Sequence, residues 1–277
     1  MDTSMGAAES GQGGAAVGHL LREWRTARGV SQLDLAMRAG FSARHVSFIE
    51  TGRSQPSRQA VLVLAEALDV PLRDRNRLLE AGGYARVYRH TPLDAEDMRH
   101  IRGVLQFILD RHEPFGAVVL DRYSNLLMAN AASQELFRTI VDPGLIAETH
   151  NIMRLVFHES GLRPWIVNWP EVAEHLLSRC ERELGGPSAD ETSRALLADI
   201  RGLAGPSATA RHAQPLKPAD VLLPVHIRRG EIDVRLFSTI MTLGTPQDVT
   251  LQELRIETFF PADPESERTI RAMGKRG

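Results

Sequence analysis

Behind Ser31 the apolar residues Leu33, Leu35, Ala36 and Ala39 recur at helical spacing, and the serine hydroxyl suits an N-cap, so a helix is expected to start there. Gly40 ends it and turns the chain. Ser42 caps a second short helix, in which Val46 and Ile49 share one face while Arg44, His45 and Ser47 share the other. Gly52 stops that helix, and Arg53, Ser54 and Ser57 follow as a polar, cationic loop suited to phosphates. Upstream, Leu20, Leu21, Trp24 and Ala27 form an apolar stripe flanked by Arg22, Arg25 and Arg28. Downstream, Val61, Leu64, Ala65 and Leu68 predict a fourth helix. Pro71 opens a fifth, Leu72 to Ala81, closed by Gly82 and Gly83.

The pattern then changes. Residues 82–94 have glycines, a proline and no core periodicity, whereas Met98, Ile101, Leu105, Ile108 and Leu109 describe an amphipathic connector helix. Phe115 to Asp121 and Leu126 to Ala129 are short apolar runs around a polar turn, which reads as a β-hairpin, and Asn130 can cap a following helix. A helical middle section is interrupted by Gly161, Pro164, Pro170 and the loop Gly185 to Ser188. Three strand-like segments, at 219–230, 231–245 and 249–261, close the chain, the first two joined around Arg229-Gly230. The fold class is therefore α+β: a five-helix bundle followed by one curved antiparallel sheet packed with helices. The expected divisions are a disordered tail over 1–16, the bundle over 17–83, a linker and connector helix over 84–112, the sheet domain over 113–265 and a tail over 266–277.

Charge divides the molecule the same way. Residues 17–90 hold twelve arginines, no lysine and seven acidic residues, near +5, whereas residues 91–277 hold 21 basic and 26 acidic groups, near −5. A basic bundle suits phosphate attraction and argues for a nucleic-acid partner. The single cysteine, Cys180, excludes an internal disulfide and points to the cytoplasm. The first sixteen residues lack a signal-peptide pattern, and no stretch approaches the ~20 apolar residues of a membrane helix.

The five-helix order, Ser31-Gln32, Leu35-Ala36, Gly40 and the run Ile49-Glu50-Thr51-Gly52-Arg53 resemble the helix-turn-helix of the phage repressor and Cro (Xre) family. That resemblance implies that Gln32, Ser42, Ala43, Arg44, His45 and Ser47 enter or border the major groove, with Arg53 and Ser54 beside the backbone. Arg44 is the expected base reader, because a guanidinium can bond O6 and N7 of guanine together. Ala43 departs from the glutamine common at that place. Together with LRPWIVNW and the closing FSTIMTLGTPQDVTLQELRIETFFP, residues 18 to about 265 resemble the MmyB-like transcriptional regulators, and the sheet domain resembles a PAS-like sensor. The resemblance implies a pocket for a small, fatty-acid-like ligand. Leu120, Leu127, Trp165, Trp169, Phe237, Thr239 and Met241 are candidates for its wall, and Arg163 for a carboxylate contact. For any one of the apolar residues, plain core is the competing reading.

No G-x-S-x-G elbow, phosphate-binding loop or dinucleotide glycine motif occurs, and no His or Cys spacing fits zinc, so no catalytic residue, metal or cofactor is assigned. The expected partners are a double-stranded DNA operator, a small apolar effector and a second copy of the chain, with no membrane. Two alternatives compete: a helix-turn-helix protein whose second domain is a ligand-free dimerisation or protein-docking module, and an enzyme carrying the bundle as an appendage. A continuous cavity would favour the sensor over the docking module, and a filled core the reverse.

Overall fold

Helix caps and glycine stops set the element boundaries of the N-terminal bundle. The computed structural model describes residues 6–205 and 223–274, which fall into two units. The first unit contains residues 1–91 with the short segments Gly186–Ser188 and Thr245–Gln252. Its helices are α1 (Gly6–Ala27), α2 (Gln32–Ala39), α3 (Ala43–Glu50), α4 (Arg58–Ala67) and α5 (Leu72–Ala81). Ser31, Ser42 and Ser57 each accept a backbone N–H at the start of a helix, as N-caps do. Ser57 is thereby a cap of α4 as well as a loop residue. Gly40 ends α2 with φ 71°, a conformation that favours glycine. Pro71 offers α5 no side-chain cap, and Gln252 supplies one, accepting from the Leu72 N–H at 2.6 Å.

Leu21, Leu35, Val46, Ile49, Leu64, Leu68, Leu78 and Leu79 are fully buried and form the core of this unit. Leu33 departs from the expected pattern. It is exposed with Met37 one turn later, because α2 buries only the face carrying Leu35 and Ala36. Residues 6–16, expected to be disordered, lie in α1. Residues 1–5 lie outside the described residues.

The second unit contains residues 92–185, 189–244 and 253–277. Its five strands are β1 (Ala117–Leu120), β2 (Leu126–Ala129), β3 (Val225–Arg229), β4 (Ile232–Met241) and β5 (Arg255–Pro261). They form one antiparallel sheet in the order β2-β1-β5-β4-β3. The expected hairpin is present with Val118 opposite Ala129, and Gly230, φ 57°, turns β3 into β4. Part of the 219–230 segment falls outside the described residues. Residues 249–253 differ from expectation: Val249–Glu253 is a short helix, so the last strand starts only at Arg255.

The connector helix α6 (Arg99–Arg111) packs on β1, with Leu105 and Leu109 buried. Asn130 caps α7 (Ala131–Ile140), accepting from Ser133 N–H and Ala117 N–H at 3.0 Å each, and donates to Phe115 O at 2.7 Å. The helical middle section comprises α8 (Pro143–Glu148), α9 (Ile152–Phe157), α10 (Trp169–Leu184) and α11 (Glu191–Ala204). With the Val249–Glu253 helix as α12, the final helix is α13 (Pro264–Met273), which packs on β4. That segment was expected to be a tail. Asp263, accepting from Ser266 N–H at 2.8 Å, and Pro264 in the first turn make it a capped helix. β1 is buried along its whole length, as a strand covered on both faces must be.

Candidate functional site

Of the residues the sequence nominated for DNA, Ala43, Arg44, His45 and Ser47 lie on α3, Ser42 caps it, Gln32 opens α2, and Arg53 and Ser54 follow α3. Arg44 is exposed, and its guanidinium lies 5.1 Å from the Phe48 ring centroid. Arg53, beyond the helix end, lies 6.0 Å from the same ring, so one half-buried aromatic ring carries two cations. Phe48 also anchors the following loop, since its carbonyl accepts from Arg53 N–H at 2.8 Å and Ser54 N–H at 3.1 Å. The sequence reading missed Phe48. Its signal was the i, i+4 spacing from Arg44 on an otherwise polar face.

The remaining nominated residues are more engaged. Ser42 is spent on the cap, accepting from His45 N–H at 3.1 Å, and His45 is half-buried with its ring 5.3 Å from that of Phe41. Ala43 and Ser47 are half-buried on the same short helix. Gln32, at the first position of α2, donates its amide to Glu50 Oε2 at 2.8 Å. Glu50 in turn is held by Arg25, which fixes the end of α3 against α1.

The second site is a cavity of about 550 Å³ within the sheet unit. Its wall is built from α7, α9 and α10, from β3, β4 and β5, and from the end of α13. Of the eight nominated pocket residues, Phe237 lines it, stacked at 5.4 Å on Phe260. The other seven lie elsewhere. Leu120 is buried in β1, while Leu127 and Met241 are exposed. The hydroxyls of Thr239 and Thr258 share a hydrogen bond of 2.7 Å. Trp165 receives the Arg229 guanidinium at 4.5 Å, and Trp169 packs edge-on to Phe157 at 5.1 Å. Arg163 donates to Leu203 O at 2.9 Å and lies over Trp169, so its charge serves the packing of that region.

Arg179 and Glu257, which the sequence did not single out, line the cavity, as does His175, read from sequence as a scattered surface or core residue rather than a zinc ligand. Val172, His175, Leu176 and Arg179 sit at i, i+3, i+4 and i+7 on α10. Two basic residues on what is otherwise an apolar stripe were the available signal. Burial first, then Arg182 and Arg179, hold His175 below the ordinary imidazole value. Burial pushes the Cys180 thiol up to about 11, with Glu183 adding to the shift, which keeps it an unreactive thiol. Among the described residues no cluster of His, Cys, Asp and Glu is placed to hold a metal, and no helix is long and apolar enough to cross a membrane.

Comparison with solved structures finds local likeness. The restriction-modification controller protein C.AhdI from Aeromonas hydrophila is 39% identical over 22% of this chain and 94% of its own, with a TM-score of 0.22. The clp gene regulator ClgR from C. glutamicum is 31% identical over 26% of this chain and 90% of its own, with a TM-score of 0.23. Comparison with curated proteins finds no match. Residues 16–78 match a helix-turn-helix domain, and residues 101–273 match the MmyB-like transcription regulator ligand binding domain. The chain therefore belongs to the MmyB-like transcription regulators, a DNA-binding helix-turn-helix joined to a ligand-binding domain.

Proposed function

We propose that this regulator binds an operator as a homodimer in the cytoplasm, and that a small apolar, fatty-acid-like effector in its second unit biases that binding. The observation that carries the reading is the cavity. A filled core would favour a ligand-free module, whereas this unit keeps about 550 Å³ open among mostly apolar side chains, within the ~300–1,000 Å³ of small-molecule sites. Phe48 with its two arginines supports base reading by Arg44 and phosphate contact by Arg53. Exposed Val104 and Phe107 on α6 support a contact between subunits. The effector acts by preferring one conformational state of the dimer, since equal affinity for two states would shift nothing.

The test is native mass spectrometry of the purified full-length protein before and after denaturation. It is followed by titration with straight-chain acids and alcohols of graded length against an operator selected from random duplexes. The expected result is a length-dependent rise in melting temperature by mass action and a changed operator affinity. Stabilisation by no chain length, with operator binding intact, would leave the DNA-binding assignment and remove the sensor.

A further inference from the structure

On the described cavity wall, the buried charges lie where α10 faces β5. There Arg179, its side chain 13% exposed, donates from Nη1 and Nη2 to Glu257 Oε1 and Oε2 at 3.3 and 3.5 Å, and from Nε to Glu183 Oε1 at 3.1 Å. Arg255 donates to the other oxygen of Glu183. Two guanidiniums thus meet two carboxylates, and the cluster is electrically neutral as it stands.

The remaining charged groups on the wall are Glu113, Glu135 and Arg138. Arg138 pairs with Glu135 at 3.3 Å, both side chains well exposed, and Glu113 accepts from Ala132 N–H at 3.2 Å. No cation on the described wall stands without a carboxylate. His175, one turn before Arg179 on the same face, is accessible, is kept neutral at pH 7 by partial burial and by Arg182 and Arg179, and hydrogen-bonds no described side chain.

Two consequences follow for whatever fills the cavity. A guanidinium has five N–H donors, and these contacts engage three, so a hydrocarbon laid against Arg179 would strip water from donors and return nothing. The polar end of a ligand belongs there. A carboxylate in that place would have to compete with Glu257 and Glu183 for Arg179, adding an anion beside cations that are already paired. An uncharged oxygen needs only one donor or acceptor, which Arg179 and His175 supply.

We propose that the cavity selects an aliphatic ligand ending in an uncharged oxygen group, of the long-chain alcohol or aldehyde class, with its head at Arg179, Glu257 and His175. The ligand shares the chain of a fatty acid and not its charge. This rests on the apolar-effector reading above.

The test compares dodecan-1-ol with dodecanoate on the full-length protein by calorimetric titration at about pH 6 and about pH 8, on either side of the ordinary imidazole pKa of ~6.5. The alcohol is expected to bind independently of pH, and about tenfold or more tighter than the acid at the higher pH. The acid is expected to recover affinity at the lower pH while taking up about one proton. His175→Leu is expected to weaken the alcohol several-fold, with His175→Gln, which keeps a donor and an acceptor, restoring most of the loss. Dodecanoate binding as tightly as the alcohol at about pH 8, without proton uptake, overturns the head-group assignment and leaves the apolar-effector reading standing. Binding of neither compound overturns both.

Discussion

Arg25 holds Glu50 at two points, Nε to Oε1 at 2.6 Å and Nη2 to Oε2 at 3.0 Å, with the Glu50 side chain only 2% exposed. The pair ties α1 to the last residue of α3, and Gln32 adds a third hydrogen bond from α2. Removing Arg25 leaves the buried Glu50 charge with only the neutral Gln32 amide as a side-chain partner. Arg25→Ala is expected to cost the helical unit ~3–5 kcal/mol. Urea unfolding followed through Trp24, with Trp165 and Trp169 replaced by Phe, reads that loss directly, and an unchanged midpoint would make the pair ornamental.

Arg44 and Arg53 share the Phe48 ring but are assigned different work. Arg44→Ala is expected to flatten preference among operator variants by ~1–3 kcal/mol at one base pair. Arg53→Ala is expected to weaken all duplexes alike and to lower the slope of log affinity against log salt by about one unit. Phe48→Leu should show both effects in part, because it releases both side chains while preserving an apolar filling. Operator titrations across a salt series separate the three.

Gly18 lies where α1 crosses the end of α3. A methyl group built on it would meet the Ile49 carbonyl oxygen at 2.1 Å, an atom of backbone that cannot swing away. Gly18→Ala, usually favourable in a helix, is here expected to destabilise the unit by about 3 kcal/mol or more. A melting temperature equal to that of the parent would show that the two helices separate at no cost.

Burial opposes ionisation of Asp190, yet hydrogen bonds from the Tyr123 hydroxyl and from Ser193 outweigh it, and the folded carboxyl falls to about 2. A folded value below the unfolded ~3.9 contributes stability that is present above about pH 4 and disappears as pH falls towards 2. Asp190→Asn should flatten that part of the acid-unfolding curve of the second unit, read through Trp165 and Trp169. The same slope in the variant would assign the acid sensitivity to other carboxylates.

The helical unit was legible because its signals are local. Ser31, Ser42, Gly40 and the Val46/Ile49 face each report on neighbours within one turn, and the caps lie where those residues put them. The cavity was not legible in the same way. Phe237, which lines it, and Leu120, which fills core, carry the same apolar signature in the sequence. What separates them is register against β5, which sets Phe237 opposite Phe260 and sets Leu120 opposite Arg255, the latter across more than a hundred residues. Arg179 and Glu257 illustrate the same limit, since each looks like an ordinary surface charge until the helix and the strand meet. The final helix was readable at Asp263-Pro264 but lacked a long apolar stripe to announce it.

The sheet order places β5, synthesised after the four other strands of the sheet, between β1 and β4. Until the ribosome has passed Pro261, those two strands expose unpaired edges, and the cavity lacks the wall that Glu257 and Phe259 provide. A transcript cut short before Arg255 would therefore deliver the helix-turn-helix attached to an unclosed, aggregation-prone sheet.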